Sequence, residues 1–133
     1  MEHAASPIET LACHEIVLRL ALKREFVSGD SVDAFLLRPS DNGYLSVYRQ
    51  AKVSLEECSK TFKKVHGAFS LHAGRVRDIH VPGCPSLEVI ADESPVDKCP
   101  GHAAILNLPD PQADFERAQR LASLLKRCGR QLV

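Results

Sequence analysis

The sequence predicts a single α+β domain over residues 1–133, with a small, mostly antiparallel sheet packed by two or three helices. Two segments show apolar residues at helical spacing with recognisable ends, and several short segments are rich in β-branched and aromatic residues. The length of 133 residues and the apolar fraction of 44% are those of an ordinary globular domain. Such a chain can bury one core without disulfides or metals.

The clearest predicted element is an amphipathic C-terminal helix. Asp110 is expected to cap it, with Pro111 at the first helical position, where the missing N–H costs nothing. Lys126 and Arg127 complement the negative end of the helix dipole, and Gly129 is expected to end the helix. The predicted buried stripe comprises Phe115, Ala118, Leu121, Ala122, Leu125 and Cys128.

A second helix is predicted to begin at Ser54. Ser54 and Glu57 form a capping box, in which each residue's side chain can bond to the other's main-chain N–H. Val53 and Cys58 are placed to form the hydrophobic staple that often accompanies such a cap. The apolar stripe is Leu55, Cys58, Phe62 and Val65, and Gly67 is the expected C-terminal stop.

The best strand prediction is Tyr44–Arg49, which follows the turn signal Asp41-Asn42-Gly43. Alternation puts Tyr44, Ser46 and Tyr48 on one face and Leu45 and Val47 on the other. Residues 33–38 precede the turn and are expected to pair with this strand as a hairpin. Further strands are predicted at residues 68–71, 87–91 and 103–108.

The first third of the chain supports two readings. Ser6-Pro7-Ile8-Glu9 is a second capping box, and good helix formers favour a helix running to about Arg24. Residues 15–23 also alternate well enough to form a strand, and periodicity does not decide between helix and strand here. The helix is the slightly preferred reading.

Charge and composition narrow the class of protein. Seventeen basic and 17 acidic residues give no net charge, whereas proteins that bind nucleic-acid phosphates usually carry a basic excess. No segment has the length of a membrane span or the pattern of a signal peptide. Five cysteines without regular spacing indicate reduced thiols. These features predict a cytoplasmic protein that binds neither membrane nor nucleic acid; the oligomeric state stays open.

The sequence offers one pattern that resembles a metal site. His80 and Cys84, followed by Cys99 and His102, supply the imidazole and thiolate ligands that zinc prefers, from two short segments rich in Pro and Gly. Zinc motifs more often contain a closely spaced Cys-x2-Cys or His-x3-His pair. We therefore predict no metal and no cofactor, with these four residues as the alternative.

Familiar catalytic motifs are missing from the sequence. It contains no Gly-x-Ser-x-Gly elbow, no phosphate-binding Gly-rich loop and no His-Glu-x-x-His. Asp92-Glu93, between a predicted strand and a Pro-containing loop, is typical of a solvated turn. Arg38, Ser46, Tyr48 and Arg49 remain as a polar set that could bind a phosphate or carboxylate. The alternative is the solvent face of a half-exposed sheet.

The chain resembles a family of small uncharacterised bacterial proteins. The matching segments are, in order, Leu18-Arg19, Phe26-Val27, Ala34-Phe35, Arg38-Pro39-Ser40-Asp41, Leu45-Ser46-Val47-Tyr48, Ser54-Leu55-Glu56, Gly67, and the stretch from Asp92-Glu93-Ser94-Pro95 to Gly101-His102-Ala103-Ala104. The resemblance implies a bacterial cytosolic protein and draws attention to Arg19, Arg38, Ser46, Tyr48 and His102. Cysteines are not part of the pattern, so it implies no zinc site.

A fainter resemblance is to the ADP-ribosyltransferase-like proteins, which consume NAD. That resemblance implies an aromatic residue against the nicotinamide, which Tyr44 or Tyr48 could supply, and a strand hydroxyl, which Ser46 could supply. It also implies a late glutamate that orients the ribose. After Glu93 the chain has only Glu116, on the expected exposed side of the last helix.

Two functional hypotheses follow. The first is a non-catalytic binding or accessory module encoded in a bacterial operon, acting with a protein partner or a small ligand. The second is a nucleotide-using enzyme of the ADP-ribosyltransferase-like type, acting on NAD. In both, the candidate ligand-binding residues are Arg38, Ser46, Tyr48 and His102, and no catalytic residue is assigned.

Overall fold

The computed structural model describes residues 9–41, 43–62, 64–93 and 99–132, and its fold is α+β, as the sequence predicts. The strands in this part of the chain are β1 (Ile16–Ala21), β2 (Leu45–Arg49), β3 (Gly67–His72), β4 (Glu88–Ala91), β5 (His102–Leu106) and β6 (Arg130–Gln131). The α-helices are α1 (Leu55–Phe62), α2 (Ala73–Arg77) and α3 (Phe115–Cys128). Short 3₁₀ turns occur at Arg24–Val27, Asp33–Phe35 and Pro39–Asp41.

The strands form one antiparallel sheet in the spatial order β4-β5-β2-β1-β3-β6. β2 therefore lies inside the sheet, between β1 and β5. Its pairing with β5 places Ser46 opposite Ala104 and Tyr48 opposite His102. This register determines which side chains meet at the candidate site.

The two faces of the sheet bury different clusters, because successive strand residues point to opposite sides. On one face, Val47 and Phe69 pack against Leu121 and Leu125 of α3 in the larger core cluster. On the other, Leu20 of β1 and Ala68 of β3 form a smaller cluster with the α1 region and Cys99. The sheet is thus covered by α2 and α3 on one side and in part by α1 on the other.

The capping box predicted for α1 is confirmed. The Glu57 amide donates to Ser54 Oγ at 3.1 Å, and the Ser54 amide donates to a Glu57 carboxylate oxygen at 3.1 Å. Val53 and Cys58 are both buried in the smaller cluster, as the predicted staple requires. The predicted end was wrong, because α1 ends at Phe62 and Gly67 begins β3.

The C-terminal helix is confirmed, but its start was placed too early. Asp114 is the N-cap and accepts from the Arg117 amide at 3.2 Å, whereas Asp110 organises the turn before the helix. Phe115 is 55% exposed and does not belong to the buried stripe. Gly129 is the C-cap, as predicted.

Two predictions for the N-terminal half were wrong. Residues 16–21 form β1, not part of a helix reaching Arg24; the capping box at residues 6–9 falls largely outside the described residues. Residues 33–38 form no hairpin strand, since Asp33–Phe35 is a 3₁₀ turn with Ala34 and Phe35 buried. No helix within the described residues is long and apolar enough to cross a bilayer.

Candidate functional site

The predicted polar face of β2 is present, and β5 adds a histidine to it. Val47 is buried between Ser46 and Tyr48, which are both half-buried on the opposite face. His102 lies across from Tyr48 on β5, so its ring reaches this face as well. The structure thus brings together three of the four residues expected to bind a ligand.

A chain of polar contacts runs from Ser46 through His102 to Asp92. Nε2 of His102 lies 3.0 Å from Oγ of Ser46. Nδ1 lies 2.9 Å from the main-chain carbonyl oxygen of Asp92 and 3.4 Å from Oδ2 of the same residue. The His102 side chain is 11% exposed and that of Asp92 is 47% exposed, so the chain of contacts leads from a half-buried hydroxyl to the surface.

Two tyrosine rings lie beside the imidazole of His102. The Tyr48 ring lies 5.6 Å from the His102 ring at 66°, and the Tyr44 ring lies 6.2 Å away at 67°. Both are edge-to-face arrangements, which are favourable for aromatic pairs. Phe62 of α1 supports Tyr48 from behind at 5.4 Å. We call Tyr44, Ser46, Tyr48, Asp92 and His102 the Ser46–His102 cluster.

The turn before β5 fixes the position of His102. The Gly101 amide donates to a Glu93 carboxylate oxygen at 2.8 Å, and the Gly101 carbonyl accepts from the Arg49 amide at 2.8 Å. Gly101 has a φ of +78°, and a Cβ there would lie 2.6 Å from Cβ of Lys52. Only glycine combines this dihedral angle with so close an approach.

Arg19 supports the cluster from the core side of β2. Its guanidinium is buried and donates to the carbonyl oxygens of Ala34 at 2.6 Å and Ser46 at 2.9 Å. Burial lowers the pKa of Arg19 to about 10, although the nearby carboxylate of Asp41 raises it. The resemblance drew attention to this residue, and the structure gives it a role in holding β2.

Arg38 does not join the other three predicted ligand residues. Its guanidinium lies over the ring of Phe26, 4.5 Å from the ring centre, and its amide donates to the Asp41 carboxylate at 2.7 Å. Phe26 belongs to the larger core cluster, on the opposite face of the sheet from Ser46. The anion site expected from Arg38 beside Ser46 is therefore not formed.

The four residues of the possible zinc pattern lie in different surroundings. Cys99 is buried in the smaller core cluster, where its sulfur lies 3.9 Å from that of Cys58. Cys84 packs against the larger cluster on the opposite face, and His80 is exposed. Within the described ranges, no three His, Cys, Asp or Glu side chains are grouped so that they could hold a metal ion.

A cavity of about 420 Å³ opens at the Arg49 end of β2. It is lined by His14, Glu15, Ile16, Arg49, Gln50 and Ala51. Arg49 is paired with Glu15 and with Glu9, and these contacts raise its pKa. Its charge is thus already balanced by two carboxylates, which makes the cavity a poor site for an anion.

The sequence interpretation missed the part played by Asp92. The pair Asp92-Glu93 was expected to be a solvated turn, but both residues contact the segment that carries His102. The antiparallel pairing of β4 with β5 brings them there. The sequence predicted both segments as strands, but it carried no signal that the two strands pair with each other.

Comparison with known proteins adds no assignment. No protein-family model, curated protein or solved structure matches this chain. The two resemblances stated above therefore stay predictions, and function is argued from the site itself.

Proposed function

We propose that this protein is a cytoplasmic binding module that holds a small, uncharged, ring-containing ligand at the Ser46–His102 cluster. One observation carries the proposal: the hydrogen-bonded pair Ser46 and His102 is flanked by two tyrosine rings on a half-exposed sheet face. Ligand sites typically combine apolar or aromatic walls with a few fixed polar groups. The cluster has this composition.

The charges near the cluster favour an uncharged ligand. Asp92 supplies a carboxylate, whereas the guanidinium of Arg38 lies against Phe26 and that of Arg49 against Glu15. The Arg19 guanidinium is buried on the opposite face of β2 and is bonded to main-chain carbonyl oxygens, so it does not offset this carboxylate for an anionic ligand on the Ser46 face. The tyrosine rings instead offer faces and edges to a flat ring, and the Ser46 hydroxyl can bond to one polar substituent.

The test is a thermal-melt screen of the purified protein against nucleosides, nucleotides including NAD, and uncharged aromatic compounds. A ligand at 100 times its Kd stabilises the folded state by about 2.7 kcal/mol, which raises Tm by several degrees. The shift should be lost in Tyr44→Ala and Ser46→Ala but kept in Ser70→Ala, a half-buried serine on the same face of the sheet. The proposal fails if no compound raises Tm, or if every hit stabilises all three variants equally.

A nucleotide-using enzyme of the ADP-ribosyltransferase-like type is the second candidate. It is supported by Tyr44, Ser46 and Tyr48 on one strand face, which match the aromatic and hydroxyl groups that the resemblance implies. Glu116 is exposed on α3, across the sheet from these residues, so it cannot supply the late glutamate. A Tm shift with NAD accompanied by release of nicotinamide would favour this candidate over the first.

A further inference from the structure

The hydrogen bonds of His102 determine where its proton lies. The main-chain carbonyl of Asp92 can only accept a hydrogen bond, so Nδ1 of His102, 2.9 Å away, must carry the hydrogen. In the neutral ring Nε2 then has a free lone pair. The hydroxyl of Ser46, at 3.0 Å, donates to it. This is the direction of proton transfer that activates a serine oxygen.

The Asp92 carboxylate completes the arrangement. Its Oδ2 lies 3.4 Å from Nδ1 of His102, on the side of the ring away from Ser46. When the ring takes up a proton it becomes a cation, and a carboxylate at this distance stabilises the charge. Ser46, His102 and Asp92 are therefore linked as nucleophile, base and charge-stabilising group.

Regular structure holds the two reacting side chains. Ser46 lies within β2 and His102 at the start of β5, and these strands are paired through four residue pairs. The Arg19 guanidinium donates to the carbonyl oxygen of Ser46 from the core side. Side chains on paired strands are positioned more accurately than those on loops, and such accuracy lowers the entropic cost of a reaction.

We propose that Ser46 is a nucleophile, that His102 is its general base, and that the pair accepts acyl groups from uncharged esters. The inference rests on the proposed ligand site, because the acyl group would lie against the rings of Tyr44 and Tyr48. An ester with a small apolar or aromatic acyl group suits these rings. An anionic ester would be repelled by Asp92.

The reaction balances without any further reagent than the ester and water. Oγ of Ser46 forms a bond to the ester carbonyl carbon while its proton passes to Nε2 of His102. Collapse of the tetrahedral intermediate breaks the bond to the alcohol oxygen, and the alcohol leaves with the proton from Nε2. Water then attacks the acyl-serine with His102 as base, which releases the acid and restores the Ser46 hydroxyl.

The test uses a fluorophosphonate probe and p-nitrophenyl butyrate on the full chain. In the probe reaction Oγ of Ser46 bonds to phosphorus, fluoride leaves, and the proton is taken up by His102. Mass spectrometry of peptides should find the probe on Ser46. The ester should release a burst approaching one equivalent of p-nitrophenolate as the acyl-serine forms.

The variants separate a reactive serine from general surface chemistry. Ser46→Ala should abolish labelling and the burst, while Ser70→Ala should retain both. His102→Gln should slow both reactions by about 100-fold or more, the usual contribution of a general base. Circular dichroism and the Tm of each variant check that it is folded. Ser46→Ala and wild type are compared at a temperature where the same fraction of each protein is folded, so a difference in labelling does not come from a difference in stability.

Two results would overturn the inference. One is labelling of another residue at the wild-type rate in Ser46→Ala, and the other is a folded wild-type protein that neither the probe nor the ester modifies. If an uncharged ligand still raises Tm in that second case, the binding function stands and only the nucleophile assignment fails. If no ligand binds but Ser46 is labelled, the serine is reactive and the binding-module proposal fails.

Discussion

The guanidinium of Arg19 donates to the main-chain carbonyl of Ser46 at 2.9 Å, beside the point where the pairing of β1 with β2 stops. That pairing covers Val17 and Leu18 opposite Arg49 and Tyr48. Where this main-chain pairing ends, the side chain of Arg19 donates the hydrogen bond to the Ser46 carbonyl oxygen of β2. Its Nε also donates to the carbonyl of Ala34, which ties a 3₁₀ turn to the sheet.

Replacing Arg19 by Met should lower the free energy of unfolding by about 2 kcal/mol, because the buried carbonyl oxygen of Ala34 and the partly buried one of Ser46 would lose their donor. Removing the buried charge recovers part of its desolvation cost, which keeps the loss below the sum of two hydrogen bonds. Arg19→Lys retains a donor and should lose less. Urea denaturation of the three proteins measures this order. A Met variant as stable as wild type would contradict the expected net loss and would mean that the recovered desolvation free energy fully offsets the two lost hydrogen bonds.

The neutral form of His102 should carry its hydrogen on Nδ1. The Asp92 carbonyl imposes this tautomer, so Ser46→Ala should leave it unchanged. Long-range ¹H–¹⁵N correlation spectra of the imidazole distinguish the two ring nitrogens directly. A hydrogen found on Nε2 would contradict both the arrangement of hydrogen bonds and the role of His102 as base.

Short sequence patterns correctly predicted the features that depend on residues close together in the chain. The capping box of Ser54 and Glu57 and the alternation along β2 are both present. The prediction of a helix up to Arg24 was wrong because intrinsic helix propensity contributes little free energy compared with the pairing of strands in a sheet. β1 pairs with β2 and β3 in the interior of the sheet, and five of its six residues are buried.

The candidate site was only partly predictable, for a related reason. Alternation put Ser46 and Tyr48 on one face, and the structure agrees. The contact of Asp92 with His102 requires β4 to pair with β5, a relation between segments that periodicity does not specify. Arg38 was expected at the site because of its charge, but its guanidinium packs on Phe26, whose position depends on the larger core cluster.

The cysteines should differ sharply in reactivity. Cys13 is exposed, with its sulfur 3.7 Å from the guanidinium of Arg77. Cys58 is buried, and burial together with the neighbouring Cys99 raises its pKa to about 12, so little thiolate forms at pH 8. Iodoacetamide at pH 8 should modify Cys13 first and reach Cys58 and Cys99 only in denaturant. Peptide mass spectrometry follows the reaction, and equal rates at Cys13 and Cys58 would contradict the burial.

Gly101 and Gly43 form a matched pair for testing how His102 is positioned. Both have positive φ, +78° and +88°, so an alanine at either costs about 1 kcal/mol of backbone strain. A Cβ at Gly43 meets nothing within 4 Å, whereas at Gly101 it lies 2.6 Å from Cβ of Lys52. Gly101→Ala must therefore also move the turn that leads into His102.

We expect the free energy of unfolding of Gly43→Ala to fall only by the cost of the backbone strain. The imidazole spectrum of His102 should stay unchanged in this variant. Gly101→Ala should lose more stability and should shift the His102 resonances, because the ring moves relative to Ser46 and Asp92. Urea denaturation and imidazole NMR of both variants make the comparison. Equal losses of stability with identical His102 spectra would mean that the turn rearranges without moving the His102 ring. The pairing of β2 with β5 alone would then determine the position of the ring.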